Sequence, residues 1–148
     1  IMKKIYLAAS VFSVFERDLN RRIAEHLRNH GYEVLLPQDI ETPCKDSTEN
    51  EFDMEFVYKG CKDGIKVADV VVAIVDGADV DSGVAWELGF AHASGIPSLC
   101  FRTDIRKAEH NGVNIMIEYG STKTIFATKY HQSEHDIVNT ILEELENI

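Results

Sequence analysis

The run ADVVVAIVDG, Ala68 to Gly77, constrains this chain more than any other stretch. Its valines and isoleucine follow one another without the polar alternation of a half-buried strand, so both faces must be covered. β-Branched side chains also favour the extended backbone. A strand buried on both faces belongs in the middle of a parallel sheet, with helices packed above and below it.

The other segments fit around that strand. KKIYLAA, Lys3 to Ala9, reads as a short apolar strand, and ERDLNRRIAEHLRNHG carries Leu19, Ile23 and Leu27 at helical spacing with Gly31 as the stop. EVLLP is a second strand ended by Pro37, followed by the polar loop QDIETPCKDSTEN, expected to be a mobile loop of the site. EFDMEFVYKGCKDGIKVA is a second helix marked by Phe52, Phe56 or Val57, and Ile65, and weakened locally by Gly60 and Gly64. After ADVVVAIVDG, the segment Gly77 to Gly95 is the next helix, and PSLCFRT is a fourth strand. TDIRKAEHNGVNIMIEYG is expected to be a long irregular connection, TIFAT a fifth strand and HDIVNTILEELENI a closing amphipathic helix. Strand and helix alternate without repeat or linker. The expected architecture is therefore a single α/β domain over residues 1–148, an open parallel five-stranded sheet with helices on both faces.

Ligands of such sheets bind at the carboxyl ends of the strands. That edge carries Ala9–Phe12, Pro37–Asp39, Asp76–Asp81 and Arg102–Arg106. The formal net charge of −10 argues against a nucleic-acid backbone as partner, which needs a basic footprint, and favours a small molecule. Cys44, Cys61 and Cys100 form no CxxC pair, which fits free thiols in a reducing cytoplasm. KKIYLAAS is too short and too quickly followed by charge for a signal peptide, and DVVVAIVD is far below membrane-spanning length. The expectation is a cytoplasmic protein with no membrane partner.

Glu87 stands between Trp86 and Leu88 in the helix after the central strand. A buried carboxylate is costly unless it is paired or used. Helical side chains tilt toward the N-terminus, so Glu87 leans over Gly83, where glycine leaves a space at a helix cost of up to about 1 kcal/mol. Such a carboxylate can touch a ligand, and a solvated helix glutamate explains the same residues equally well. Asp81 or Ser82 suits the helix N-cap, and Asp76 and Asp79 suit turns around Gly77. His131 and His135 have the spacing of two metal ligands, but no third is evident, so a surface pair is the simpler reading and no metal is assigned. Cys61 reads as a buried small hydrophobe. AASVFSVFERD contains no glycine, which weighs against a nucleotide-phosphate loop after the first strand.

KIYLAASVFSVFER, LLPQD, ADVVVAIVDGADVDSGVAWELGFAHASGIP, FRTDIR and NIM, in that order, resemble the nucleoside 2-deoxyribosyltransferases over nearly the whole chain. The resemblance implies a flavodoxin-like fold and transfer of 2-deoxyribose between nucleobases in nucleoside salvage, through a covalent glycosyl-enzyme and without a cofactor. Carried over by position, Glu87 resembles the nucleophile, Asp81 the aspartate that handles the base and its proton, and Tyr6, placed at the end of the first strand, the tyrosine that positions the nucleophile. Asn114 and Met116 resemble residues that reach the neighbouring subunit's site, and Asp39 lies where the family lines its pocket. Phe12, after the first strand, and Gly83, beside Glu87, complete the expected substrate-binding set. Many members have proline where Ser10 stands and an aspartate where Cys61 stands. Asp63 lies two residues further along the helix, on a different face, and that aspartate's sugar-binding role passes to neither residue.

The chemistry agrees with the resemblance. Exchange with retention is most simply two inversions, for which a carboxylate is a suitable nucleophile, and a second carboxyl can shuttle the proton of the leaving base. Two rivals stand beside it. One is an N-glycoside hydrolase of deoxynucleosides or their 5′-monophosphates; the glycine and serine of phosphate-reading hydrolases reduce here to Ser10 and Ser13, which favours an unphosphorylated substrate. The other is a non-catalytic nucleoside-binding module. Finally, Ile115, Met116 and Ile117 form an apolar patch of the kind that marks an interface, so a homo-oligomer is expected, a dimer at least and, by resemblance, a hexamer.

Overall fold

The structure, a computed structural model, describes residues 3–40, 53–107 and 109–148. Strands β1 (Lys4–Ala8), β2 (Glu33–Leu35), β3 (Val70–Ile74), β4 (Ser98–Arg102) and β5 (Lys123–Phe126) alternate with helices α1 (Val14–Asn29), α2 (Met54–Val67), α3 (Ser82–Ala93), α4 (Ile115–Gly120) and α5 (Glu134–Glu146). All strand pairs are parallel, in the order β2-β1-β3-β4-β5, so the doubly apolar strand is indeed the central one. Register is set by alternation. Ile5, Leu7, Val70 and Val72 face α1 and α5, where they meet Ile23, Leu27, Ile141 and Leu145. Tyr6, Ala8, Val71 and Ala73 face the other way, onto Ile65 of α2 and Val84, Leu88 and Ala91 of α3.

Local signals set the helix ends. Ser13 caps α1 and Ser133 caps α5, each in a reciprocal box with the acidic residue three positions on, an arrangement of about 1 kcal/mol per cap. Both helices therefore begin slightly earlier than their hydrophobic periodicity suggests. α3 starts at Ser82, so Gly77 to Asp81, expected to be helical, belong to the loop that follows β3. The connection expected to be irregular contains α4, a short helix capped by Asn114, whose side chain accepts from the Met116 N–H at 2.9 Å. Hydrophobic periodicity does not signal a helix of fewer than two turns. His131 lies before α5 begins, so the two histidines do not share a helical face. Phe52, Cys44 and most of the loop expected to be mobile, from residue 41 onward, lie outside the described residues.

The loops at the carboxyl edge are locked to one another. Arg102, fully buried at the end of β4, donates to the carbonyls of Val75 and Gly77 at 3.0 and 3.1 Å and to that of Arg106 at 2.7 Å. Asp76 accepts from the backbone N–H groups of Thr103 and Asp104 and from the Thr103 hydroxyl. Gly112 closes over the guanidinium with φ +118°, where any Cβ would stand 2.9 Å from Nε of Arg102. The loop leading to Asp81 and the loop leading to Asn114 are thus held in one hydrogen-bonded unit.

Candidate active site

Tyr6 sits in the middle of β1 rather than at its end, and its side chain points into the layer between sheet, α2 and α3. The residue is fully buried and its hydroxyl completes no well-formed hydrogen bond among the described residues. It nevertheless lies close enough to Glu87 and to the Cys61 thiol for the three groups to bear on one another's ionisation. Burial first, and then the Glu87 charge and the thiol, hold the phenol well above its ordinary range, so it remains a neutral donor.

Glu87 has one carboxylate oxygen, Oε2, buried and without a partner among the described residues. Burial pushes its pKa up from 4.5 to about 7; the Tyr6 hydroxyl opposes the shift and the charge of Asp81 adds to it. A structural carboxylate would be expected to have found partners, whereas this one is desolvated and orphaned beside an open space. That space is a cavity of about 270 Å³ lined by Tyr58 and Cys61 of α2 and by Gly83, Trp86 and Glu87 of α3. Gly83 lines the same cavity as Glu87, but a Cβ there would meet Oδ2 of Asp81 at 3.0 Å and no atom of Glu87 within 4 Å.

Asp81 caps α3, its Oδ2 accepting from the Val84 N–H at 3.1 Å. The cap uses Oδ2, and Oδ1 is not part of it. Cys61 is half-buried on the cavity wall, its thiol raised by burial and so neutral. Asp63 points elsewhere, paired with Lys66 at 3.8 Å on the exposed face of α2.

The remaining expected residues are not on this wall. Phe12 is exposed on the loop after β1, and Asp39 lies in the turn Pro37–Asp39, 3.7 Å from Arg28. Asn114 and Met116 line a separate, larger groove of about 510 Å³ between α3 and α4, together with Ala85, Leu88, Gly89 and Ile117. The cavity and the groove thus draw on different faces of α3.

Sequence reasoning missed three contributors. Tyr58 and Trp86 form the aromatic wall, Trp86 stacked on Phe90 at 5.2 Å and met edge-on by Tyr58 at 5.7 Å. Tyr58 stands three residues before Cys61, a helical spacing that would have flagged it. Asn20, buried in α1, donates to the Ser10 carbonyl at 3.0 Å and to Gln38 at 3.3 Å, tying the loop after β1 to the Pro37–Asp39 turn. A polar residue beside the apolar stripe of α1 was the available signal for it.

Among solved structures the chain resembles the 2-deoxyribosyltransferase of Bacillus psychrosaccharolyticus, with 27% identity over 92% of this chain and 90% of that one and a TM-score of 0.70. A 2-deoxyribosyltransferase from Leishmania mexicana shares the fold at 23% identity, covering 93% and 97% of the two chains with a TM-score of 0.62. A CMP N-glycosidase from Clostridium botulinum also shares it, at 18% identity over 95% and 99% with a TM-score of 0.65. No curated protein matches the chain in sequence. The family description nucleoside 2-deoxyribosyltransferase matches residues 5–139. With that match spanning nearly its whole length, and with the parallel sheet and the buried carboxylate after its central strand, the chain belongs to the nucleoside 2-deoxyribosyltransferase family.

Proposed function

We propose that the protein transfers 2-deoxyribose from a deoxynucleoside to a free nucleobase by double displacement, with Glu87 as nucleophile. The observation that carries this reading is the orphaned Oε2 of Glu87, desolvated beside a cavity and next to a neutral tyrosine. In the first step a Glu87 oxygen bonds to C1′ of the sugar as the C1′–N bond breaks, with inversion. The electron pair of that bond goes to the base nitrogen, which takes a proton through Asp81. In the second step an incoming base attacks C1′ from the opposite side, gives up its proton through Asp81 and releases Glu87. The configuration is retained and no cofactor enters the balance. Tyr6 donates toward Glu87 and orients it for attack.

Water in place of the second base turns the same intermediate into free sugar, so hydrolysis is the rival reaction at this site. We also propose that the site is completed by a second copy of the chain. Asn114 and Met116 open onto the α3–α4 groove rather than the Glu87 cavity, with Met116 78% exposed, an arrangement suited to reaching a neighbour.

The test is a panel of deoxynucleoside donors with and without an acceptor base, read by chromatography. Base exchange that exceeds base release supports transfer, and release that ignores the acceptor makes the protein a hydrolase. Glu87→Ala is expected to lower exchange by about four to six orders of magnitude with the fold intact. Mass spectrometry should find a deoxyribosyl adduct on the Glu87 peptide of the wild type. Near-normal exchange by the alanine variant would remove Glu87 from the mechanism.

A further inference from the structure

We infer that Arg102 is a positioning residue of the reaction: it pins the turn at Gly77 and so sets the direction in which Asp81 presents Oδ1, the oxygen outside the α3 cap, to the base. The inference rests on the reading above, in which the leaving base takes its proton through Asp81, and adds the residue that aims that carboxylate.

Arg102 is 1% exposed at the last position of β4, where an apolar side chain would pack without the cost of burying a charge. Its hydrogen bonds among the described residues all go to main-chain carbonyls, Nη1 to Val75 and Gly77 and Nη2 to Arg106, while Nε has no partner. A buried guanidinium used in this way holds backbone, and the backbone it holds is the turn between β3 and α3. The Gly77 carbonyl accepts from Arg102 at 3.1 Å, and the Gly77 N–H donates to Oδ2 of Asp104 at 3.2 Å, so this residue is gripped on both sides. Its φ of +105° favours glycine, and a Cβ there would stand 2.9 Å from the Asp79 carbonyl oxygen. Asp104 is fixed in turn, its own N–H on Asp76 at 3.0 Å and its carboxylate on Arg106 at 2.6 Å.

Between Gly77 and Asp81, Ala78 and Asp79 are exposed and Val80 is buried in the core. Asp81 is held at its far side by the cap, with Oδ2 on the Val84 N–H. The turn is thus anchored at both ends, and the main chain rather than a side-chain search fixes where Oδ1 points. A general acid must lie within about 2.6–3.2 Å of the nitrogen it protonates, and a misplacement of about 1 Å costs about 100-fold in rate. Lysine at position 102 would keep the charge and lose the planar fork, because one ammonium does not serve the carbonyls of two loops in the same geometry. The turn would then depend on Asp104, and Asp81 would lose its aim, while Glu87 would keep its place on α3.

The experiment compares the wild type, Asp81→Asn, Arg102→Lys and the double variant, each with a deoxynucleoside whose base leaves readily and one whose base leaves poorly, below the melting onset of every variant. Arg102→Lys is expected to lower kcat by about 10- to 100-fold for the poor leaving base and by at least about threefold less for the good one, with KM changed less than kcat. A merely structural role lowers both donors equally, and that outcome overturns the inference. In the Asp81→Asn background the lysine substitution is expected to cost less than about threefold, because the group it aims is already gone. Full multiplication of the two losses overturns the inference. Asp104→Ala loosens Gly77 from its N–H side and serves if the lysine variant does not fold. The same bias against the poor leaving base, to a smaller extent, then supports the inference, and its absence overturns it. An Asp81→Asn variant that slows both donors equally sinks the Asp81 role proposed above and this inference with it. Selectivity in Asp81→Asn without selectivity in Arg102→Lys sinks this inference alone and leaves that role standing.

Discussion

Glu87 is expensive where it stands, and its cost has a pH signature. Below about pH 4.5 the carboxyl is protonated in the folded and the unfolded chain alike, and its ionisation contributes nothing to stability. Between 4.5 and about 7 the unfolded chain ionises while the folded one does not, so stability falls as pH rises. Above that window the loss is constant, at most on the order of 3 kcal/mol for a shift of this size. Glu87→Gln removes the penalty. The variant is therefore expected to melt above the wild type at pH 8, with the difference shrinking toward pH 4.5, as thermal denaturation at the two pH values would show. If Glu87 is the nucleophile, as proposed, activity has the opposite dependence, because that carboxylate must then be ionised. The rate should rise through an acid limb near pH 7, and a limb near 4.5 would mean that burial does not govern this carboxylate.

At the scale of elements, α2 is brought close to the sheet by the absence of a side chain. A Cβ on Gly64 would stand 2.8 Å from Cδ1 of Leu35 and 3.3 Å from Cδ2 of Tyr6. Glycine costs the helix up to about 1 kcal/mol, and here it lets Cys61, one turn earlier, approach the Tyr6 hydroxyl. In Gly64→Ala, the gain in helix propensity opposes an overpacking penalty of about 1–3 kcal/mol. Leu35 can rotate away, but the buried Tyr6 ring cannot do so freely. A net loss of about 1 kcal/mol is expected in denaturant titration, with kcat reduced more than KM is raised because Tyr6 is displaced from Glu87. Unchanged kcat with reduced stability would mean that Tyr6 does not position the nucleophile.

For the whole molecule, the separation of cavity and groove is the informative feature. The groove between α3 and α4 is bordered by small residues, Ala85 and Gly89, and by the exposed Met116, beside the half-exposed Ile115. If a second copy completes each site as proposed, Glu87→Ala and Asn114→Ala chains should each be inactive alone and complement when mixed. A mixed dimer would hold one intact site, built from Glu87 of one chain and Asn114 of the other. Random re-association of equal amounts would then restore about a quarter of wild-type activity. A fully active monomer by light scattering at micromolar concentration would rule out the shared site.

The architecture was legible in the residues themselves. A doubly apolar strand must be central, and alternating strand and helix leave few other ways to build a sheet. The one-turn spacing of Gly83 and Glu87 likewise placed both on the face of α3 that lines the cavity, since helical spacing is a local rule. What local rules cannot supply is distance between elements. That Tyr6 on β1, Cys61 on α2 and Glu87 on α3 meet at one point follows from strand register and from how closely α2 approaches the sheet. The same packing swings Trp86 and Tyr58 into one wall and leaves Asn114 and Met116 on another face of α3. Sequence determined which residues are candidates for the chemistry, because residue type and periodicity are properties of the chain. Tertiary structure alone decided which of them share a cavity and which carboxylate loses its water, because desolvation and proximity exist only once the layers have packed.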